Sequence, residues 1–213
     1  MIQIKNFIFN PVQVNTYVLF AENNECLIID PACYFESEFE MLYWFIEKNK
    51  LKPIGMVVSH FHFDHLMGCA AVSKKYGIGL WGNSGYKLLF ERMDIKMQAE
   101  LFGFDMEMPP LPEKELNDGD IIILDKTELK VLHIPGHSPC GIALYCKNEN
   151  FVFVGDILFN GSIGRTDLYL GNMDLLLNGI KQKLLVLDDN TKVFTGHGDE
   201  TSIGKEKQSN PYL

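Results

Sequence analysis

Sheets covered on their outer faces by helices are the architecture this sequence predicts: an α/β (α+β) fold, not an exposed all-β barrel. Three observations point there. Short apolar runs rich in Val, Ile, Phe and Tyr recur along the chain. Many are apolar at nearly every position, as strands buried on both faces are. Stretches with apolar residues three to four apart lie between them, the spacing of a helix with one buried face.

The elements run in chain order. "IQIKNFIF", "TYVLF" and "CLIID" (ending at Asp30) are predicted strands. "ESEFEMLYWFIEKNK" is a predicted helix, with Phe39, Leu42 and Ile46 on one side. "GMVVSH" returns to strand and ends on His60, and "LMGCAAVSKKYG" is helical up to Gly77, a residue suited to a helix stop. "YKLLFERMDIKMQAELFGF" (86–104) has a helical pattern as well. "DIIIL", "LKVLHI", "IALYC" and "FVFVGD" are strands set off by the turn formers "NDGD" and "KNEN". "NMDLLLNGIKQKLLVL" is a helix with Asp174 in its first turn, and "TKVFTGH" is a last strand ending at His197. No repeat, low-complexity tract or Gly/Ser/Pro linker divides the chain, so a single domain over 1–213 is expected.

Composition narrows the function classes. A hydrophobic fraction of 46% with 22% charged residues is that of an ordinary globular protein. No apolar run approaches the ~18–20 residues of a membrane span. The start, "MIQIKNFIFN", lacks the basic lead and cleavage site of a signal peptide, so a cytoplasmic protein is expected. A net charge of −9 opposes binding to nucleic acid. The five cysteines form no CxxC pair and are expected to be reduced thiols. Cys140 stands out because it follows His137 by three residues.

The out-of-place polar residues fall at strand ends. "GMVVSH" delivers His60, "LKVLHIPGH" His137, "FVFVGD" Asp156 and "TKVFTGH" His197. If those ends converge, they form a polar site on a rigid scaffold. The segment "HFHFDH" (60–65) concentrates three of the six histidines beside an aspartate. In an extended segment, alternate residues share a face. His60 and His62 therefore suit one cation, while Asp64 and His65, in the turn beyond, suit a second. Imidazole with carboxylate fits zinc, or manganese or iron of similar size. His137, Asp156 and His197 supply the remaining ligands, with a carboxylate as the natural bridge. His133 is left for a structural role.

On "HFHFDH" (60–65), "PGHSPCG" (135–141), "VGDILF" (154–159) and "TGHG" (195–198), the chain resembles the metallo-β-lactamase fold hydrolases and, within them, the glyoxalase II-like group. The resemblance extends through "GSIGRTDL" to the closing "SNPYL". It implies a four-layer αβ/βα sandwich with two mixed sheets and a metal site at one edge. It further implies that His60, His62 and His137 hold one divalent cation, that Asp64, His65 and His197 hold the other, and that Asp156 bridges them. Two such cations sharing a water would lower its pKa from 15.7 toward ~7, giving a hydroxide able to attack a carbonyl carbon. Asp64 would orient it.

The implied substrates are small-molecule thioesters of the S-2-hydroxyacylglutathione type. Arg165 stands where glyoxalase II carries a basic residue for the glutathione carboxylate, and an Arg–Asp167 ion pair is the bland alternative for it. Asp167 replaces an aromatic residue of the longer enzymes, and the 16 residues after His197 match the short-form members. Loops such as 91–115 would shape the substrate pocket. Two other activities fit the same residues: a persulfide dioxygenase with a single iron, and a lactone or ester hydrolase.

Overall fold

Successive side chains of a strand point to opposite faces, and here both sets are apolar. Tyr17, Leu19, Leu27 and Ile29 face one way, while Val18, Cys26 and Ile28 face the other, and all are buried. The structure, a computed structural model, describes residues 1–90 and 95–213. Its first sheet has the order β1 (Gln3–Phe9), β2 (Val14–Phe20), β3 (Glu25–Ile29), β4 (Lys52–Val57), β5 (Leu80–Gly82) and β6 (Pro112–Glu115). The first three pair antiparallel, and pairing from β3 onward is parallel.

The second sheet contains β7 (Ile121–Leu124), β8 (Thr127–His133), β9 (Ile142–Cys146), β10 (Phe151–Gly155), β13 (Lys192–Thr195) and β14 (Thr201–Ser202), in the order β14-β13-β10-β9-β8-β7. Only β10 and β13 run parallel in it. A short hairpin, β11 (Leu158–Phe159) with β12 (Ser162–Ile163), comes after β10.

The sheets pack face to face. Leu19, Leu27 and Val57 of the first meet Leu129, Val131, Leu144 and Phe153 of the second in one core. On the outside of the first sheet lie α1 (Glu36–Lys48), α2 (Cys69–Tyr76), α3 (Tyr86–Phe90) and α4 (Ile95–Leu101). Leu42, Ile46, Val72 and Ile95 of these helices form a second core with Val18, Ile28 and Met56. Outside the other sheet lie α5 (Met173–Gly179), a π-helical turn (Ile180–Leu184) and α6 (Ile203–Ser209). Leu176, Ile180, Leu184 and Ile203 cover Leu132, Val152 and Val154 there. The result is the expected helix–sheet–sheet–helix sandwich of two mixed sheets.

Local chemistry explains most boundaries. Helix α2 stops at Gly77, whose φ of 64° is the left-handed cap conformation. Helix α5 starts at Asn172, whose side chain accepts from the Leu175 N–H, and Asp174 lies in its first turn as expected. Three expectations shift. The helix predicted over 86–104 is present as α3 and α4, and residues 91–94 between them lie outside the described residues. Part of the predicted pocket loop 91–115 is a strand, β6. The helix predicted from Asn172 widens into a π turn after Gly179, where an added Cβ would sit 2.6 Å from Ile134. Among the described residues, no helix is long and apolar enough to cross a membrane.

Strands β3, β4, β10 and β13 position the polar residues. The chain beyond their ends carries Asp30, His60, Asp156 and His197 to one edge of the sandwich. Main-chain bonds from Ile142 N to Ser59 O (2.8 Å) and from Asn15 N to Gly196 O (2.7 Å) tie the two sheets together at that edge.

Candidate metal centre

Seven side chains expected from the motifs to meet do meet. The ring nitrogens of His60 (Nε2), His62 (Nδ1) and His137 (Nε2) converge, with His60 3.0 Å from His62 and 3.2 Å from His137. Beside them, His197 Nε2 lies 3.3 Å from Asp64 Oδ2, and His65 Nε2 lies 3.8 Å from the same oxygen. Asp156 sits between the groups. Its Oδ1 is 3.4 Å from His65 Nε2, and its Oδ2 is 3.5 Å from His197 Nε2 and 3.7 Å from His137 Nε2. His60, Asp64, His65 and His137 are buried, and His62 and Asp156 are largely so.

Hydrogen bonds on the far side of each ring decide what the near side offers. Ser59 Oγ donates to Asp30 Oδ2 (2.7 Å), so its oxygen is left to accept from His60 Nδ1–H at 3.1 Å. His65 Nδ1–H donates to Asp30 Oδ2 at 3.0 Å, and His137 Nδ1–H to the Arg165 carbonyl at 2.8 Å. His197 Nδ1–H donates to the Val12 carbonyl at 3.1 Å. Four imidazoles therefore spend their Nδ1–H outward and turn Nε2 inward, toward one another for His60 and His137 and toward the carboxylates of Asp64 and Asp156 for His65 and His197.

That arrangement is costly without a cation. Lone pairs of His60 and His137 face each other across 3.2 Å. His65 Nε2 and Asp156 Oδ1 are buried with no hydrogen-bond partner, at a cost of roughly 1–3 kcal/mol for each such group. Nitrogens bound tetrahedrally at about 2.0–2.1 Å from zinc stand roughly 3.3 Å apart, close to the spacing of the three-histidine group. The donor set, its tautomers and its spacing all fit divalent cations. The groups His60–His62–His137 and Asp64–His65–His197 are each able to hold one, with Asp156 between them.

Electrostatics differ between the two groups. Burial, reinforced by the neighbouring imidazoles, pushes His60 well below its ordinary pKa. Burial and the His137 ring push His62 down to about 3, against the pull of Asp64 and Asp156. Burial acts on His65 in the same direction but loses to the carboxylates of Asp156, Asp30 and Asp64, which raise it well above 6.5. Burial also pushes His197 down, but the carboxylates of Asp64 and Asp156 together raise it. In turn, His65 and His197 hold Asp64 and Asp156 below the usual carboxylate range despite burial.

Glycines leave the room the ligands need. A Cβ on Gly196 would stand 2.1 Å from Asp156 Oδ1, so "TGHG" requires glycine before its histidine. At Gly155, φ is 50° and a Cβ would fall 2.3 Å from Ser59 Oγ.

Other predicted residues take quieter places. The Arg165 guanidinium, more than half exposed, forms a two-pronged pair with Asp167 at 2.7 Å and 2.7 Å, while its carbonyl holds His137. Cys140 is fully buried against Ser138 Oγ, and burial pushes its thiol up to about 11, which suits packing and not nucleophilic attack. His133 Nε2–H donates to the Pro139 carbonyl (2.9 Å), a structural contact.

Sequence reasoning missed Asp30. This buried aspartate accepts from Ser59 N (2.6 Å), Ser59 Oγ and His65 Nδ1, and so orients two imidazoles at once. A signal existed: "CLIID" is an apolar strand closed by a carboxylate, like "FVFVGD".

Comparison with known proteins agrees with this geometry. The metallo-β-lactamase superfamily matches residues 9–197. The hydroxyacylglutathione hydrolase GloC of Haemophilus influenzae is 36% identical over 203 residues, covering 94% of this chain and 93% of that protein. Among solved structures, BLEG-1 B3 metallo-β-lactamase superposes with a TM-score of 0.88 at 32% identity, covering 99% of both chains. TTHA1623 in a di-iron-bound form superposes with a TM-score of 0.86 at 31% identity, covering 98% of this chain and all of that one. A family match that runs from the end of β1 to His197, with relatives this similar along nearly the whole chain, means that this protein belongs to the metallo-β-lactamase superfamily.

Proposed function

We propose that this protein is a metal-dependent hydrolase that cleaves small-molecule thioesters, of the S-2-hydroxyacylglutathione type, at a two-cation centre. His60, His62 and His137 would hold one cation, and Asp64, His65 and His197 the other, with Asp156 shared. Zinc suits the donor set, and the di-iron form of TTHA1623 supports iron as an alternative occupant. The observation that carries the proposal is the convergence of ligand atoms: four rings pinned by outward Nδ1 hydrogen bonds turn Nε2 toward one another and toward the carboxylates of Asp64 and Asp156.

When bound, such cations supply Lewis acidity, making water nucleophilic near neutral pH and polarising a carbonyl. The chain's own residues supply the rest. Asp64 is held ionised by His65 and His197, so one carboxylate oxygen is available to accept a hydrogen bond from a water and aim it. Asp30, through Ser59 and His65, fixes ring orientation in advance of substrate. With two carboxylates against two divalent charges the loaded centre is cationic, which suits an anionic acyl group. No buried thiol takes part, since Cys140 stays protonated.

Arg165 is our candidate for contact with the thiol portion. Its guanidinium fork is engaged by Asp167, so a substrate carboxylate has to displace that partner. The GloC relative supports the thioester class. Metal analysis of the purified protein, followed by hydrolysis of S-D-lactoylglutathione, tests the proposal. Two cations per chain and thiol release are expected. One iron with oxygen uptake would instead favour a persulfide dioxygenase.

A further inference from the structure

The turn between β1 and β2 makes contacts that its sequence, "NPVQ", does not announce. Asn10 lies in it, buried, with φ at 55°. Its Nδ2 donates to the carbonyl of Asp64 (3.0 Å) and to that of Ala32 (3.1 Å). Its Oδ1 accepts from Val12 N (2.9 Å). Its own N–H donates to Glu38 Oε1 (2.8 Å), and its carbonyl accepts from Gln13 N (3.0 Å). Every polar atom of this residue is used.

The Val12 amide that Asn10 captures belongs to the residue whose carbonyl receives His197 Nδ1–H at 3.1 Å. The same segment continues into Val14, bridged to His197, and Asn15, whose side chain holds the carbonyls of Thr195 (3.1 Å) and Gly198 (2.9 Å) on either side of His197. One side chain thus fixes the main chain of Asp64 directly and, through Val12, the ring of His197. The braces of the other histidine group, Ser59 and the Arg165 carbonyl, belong to different loops.

We infer that Asn10 is a positioning residue for the Asp64–His65–His197 half of the centre, setting its affinity for the second cation without setting that of the first. The inference rests on the two-cation assignment proposed for this site. Its physical basis is preorganisation: a ligand held in place by its outer partners loses less freedom when it binds, and losing such a partner typically costs about 10–100-fold in metal affinity. The His197 side chain is 24% exposed, and the Val12 carbonyl is the partner of its Nδ1.

The test is a titration of the metal-free full chain with Co2+, following its visible absorption, for the wild type, Asn10→Gly and Asn10→Ser. Glycine accepts the positive φ and removes the amide. Serine is too short to reach both Asp64 and Val12. The expected result is two binding steps in the wild type, with the second weakened about 10-fold or more in both variants and the first changed less than about twofold. Thermal melting of the metal-free variants checks that the fold is kept. Equal weakening of both steps, or of neither, would overturn the inference while leaving two cations bound. A wild type that binds a single equivalent would overturn the two-cation assignment and this inference with it. Two variants that both fail to fold would also overturn it, by making Asn10 a residue of the fold itself.

Discussion

The two halves of the centre use similar residues but are built differently. His60, His62 and His137 are all imidazole, covered by protein, and burial depresses the first two in pKa, so they stay neutral and present lone pairs to their neighbours. Asp64, His65 and His197 mix carboxylate with imidazole, and there the histidines are raised in pKa and the aspartate lowered. Each group takes two of its three members from the one segment that continues β4. The second depends on His197, partly exposed and steadied by the Val12 carbonyl from the opposite sheet. Similar donor sets therefore need different support. The first group is braced by Ser59 and the Arg165 carbonyl, whereas the second also takes a hydrogen bond reaching across the sandwich, from His197 to Val12.

Removing ligands should have the greatest consequence. His62→Ala in the first half and Asp64→Ala in the second should each lower kcat by more than about 100-fold, beyond what outer partners cost, with the fold kept. Steady-state kinetics with circular dichroism checks this. Retained turnover in either variant would break the symmetry of the two halves.

Next comes the brace the halves share. Asp30→Asn keeps the shape but disturbs the contacts to Ser59 and to His65, and so touches His60 and His65 together. Both metal affinities should fall, by about 10–100-fold. Loss in one half only, measured by calorimetric titration, would show that Asp30 serves one group.

Much of this was legible in the chain. His60, His137, Asp156 and His197 could be picked out because each interrupts or closes an apolar strand, and burying imidazole without a partner is costly. The covered sheets followed from strands that are apolar on both faces. The edge strand β6, "PEKE", was invisible because a short edge strand is charged and tolerates proline. Strand β5 has only three residues, and α6 only seven. Asn10 and Val12 escaped for another reason. Outer partners act through main-chain carbonyls and single hydrogen bonds, which leave no pattern of residue types, and which partner a residue meets is decided by the fold.

A smaller effect concerns the substrate end of the first half. Asp167→Asn should lower KM several-fold for a thioester bearing a carboxylate on its thiol portion and leave a neutral thioester unchanged, with kcat steady. The paired Arg165 holds the Asp167 carboxyl down to about 2, so the pair is charged throughout the assay range. Parallel kinetics on the two substrates decides it, and no change in their ratio would remove Asp167 as a competitor.

The least change should come from a site away from both halves. Asp118 accepts from Lys183 Nζ (2.6 Å) and His133 N (2.8 Å), which together lower its pKa although burial pushes it up. A depressed folded-state pKa gives stability that is present above the ordinary carboxylate value of about 3.9 and fades as the pH falls through the folded value. Asp118→Asn should flatten that acid limb by less than about 1 kcal/mol, given the exposure of the pair. Cation binding by either half should not change, as chemical denaturation and metal titration would show.

Metal stoichiometry, determined alongside thioester hydrolysis on the same preparation, is the decisive experiment for a two-cation hydrolase. Two divalent cations per chain, with thiol release that vanishes on chelation and returns on reloading, is the predicted result. A chain that binds no cation, or one that hydrolyses thioesters equally well after complete metal removal, would contradict it.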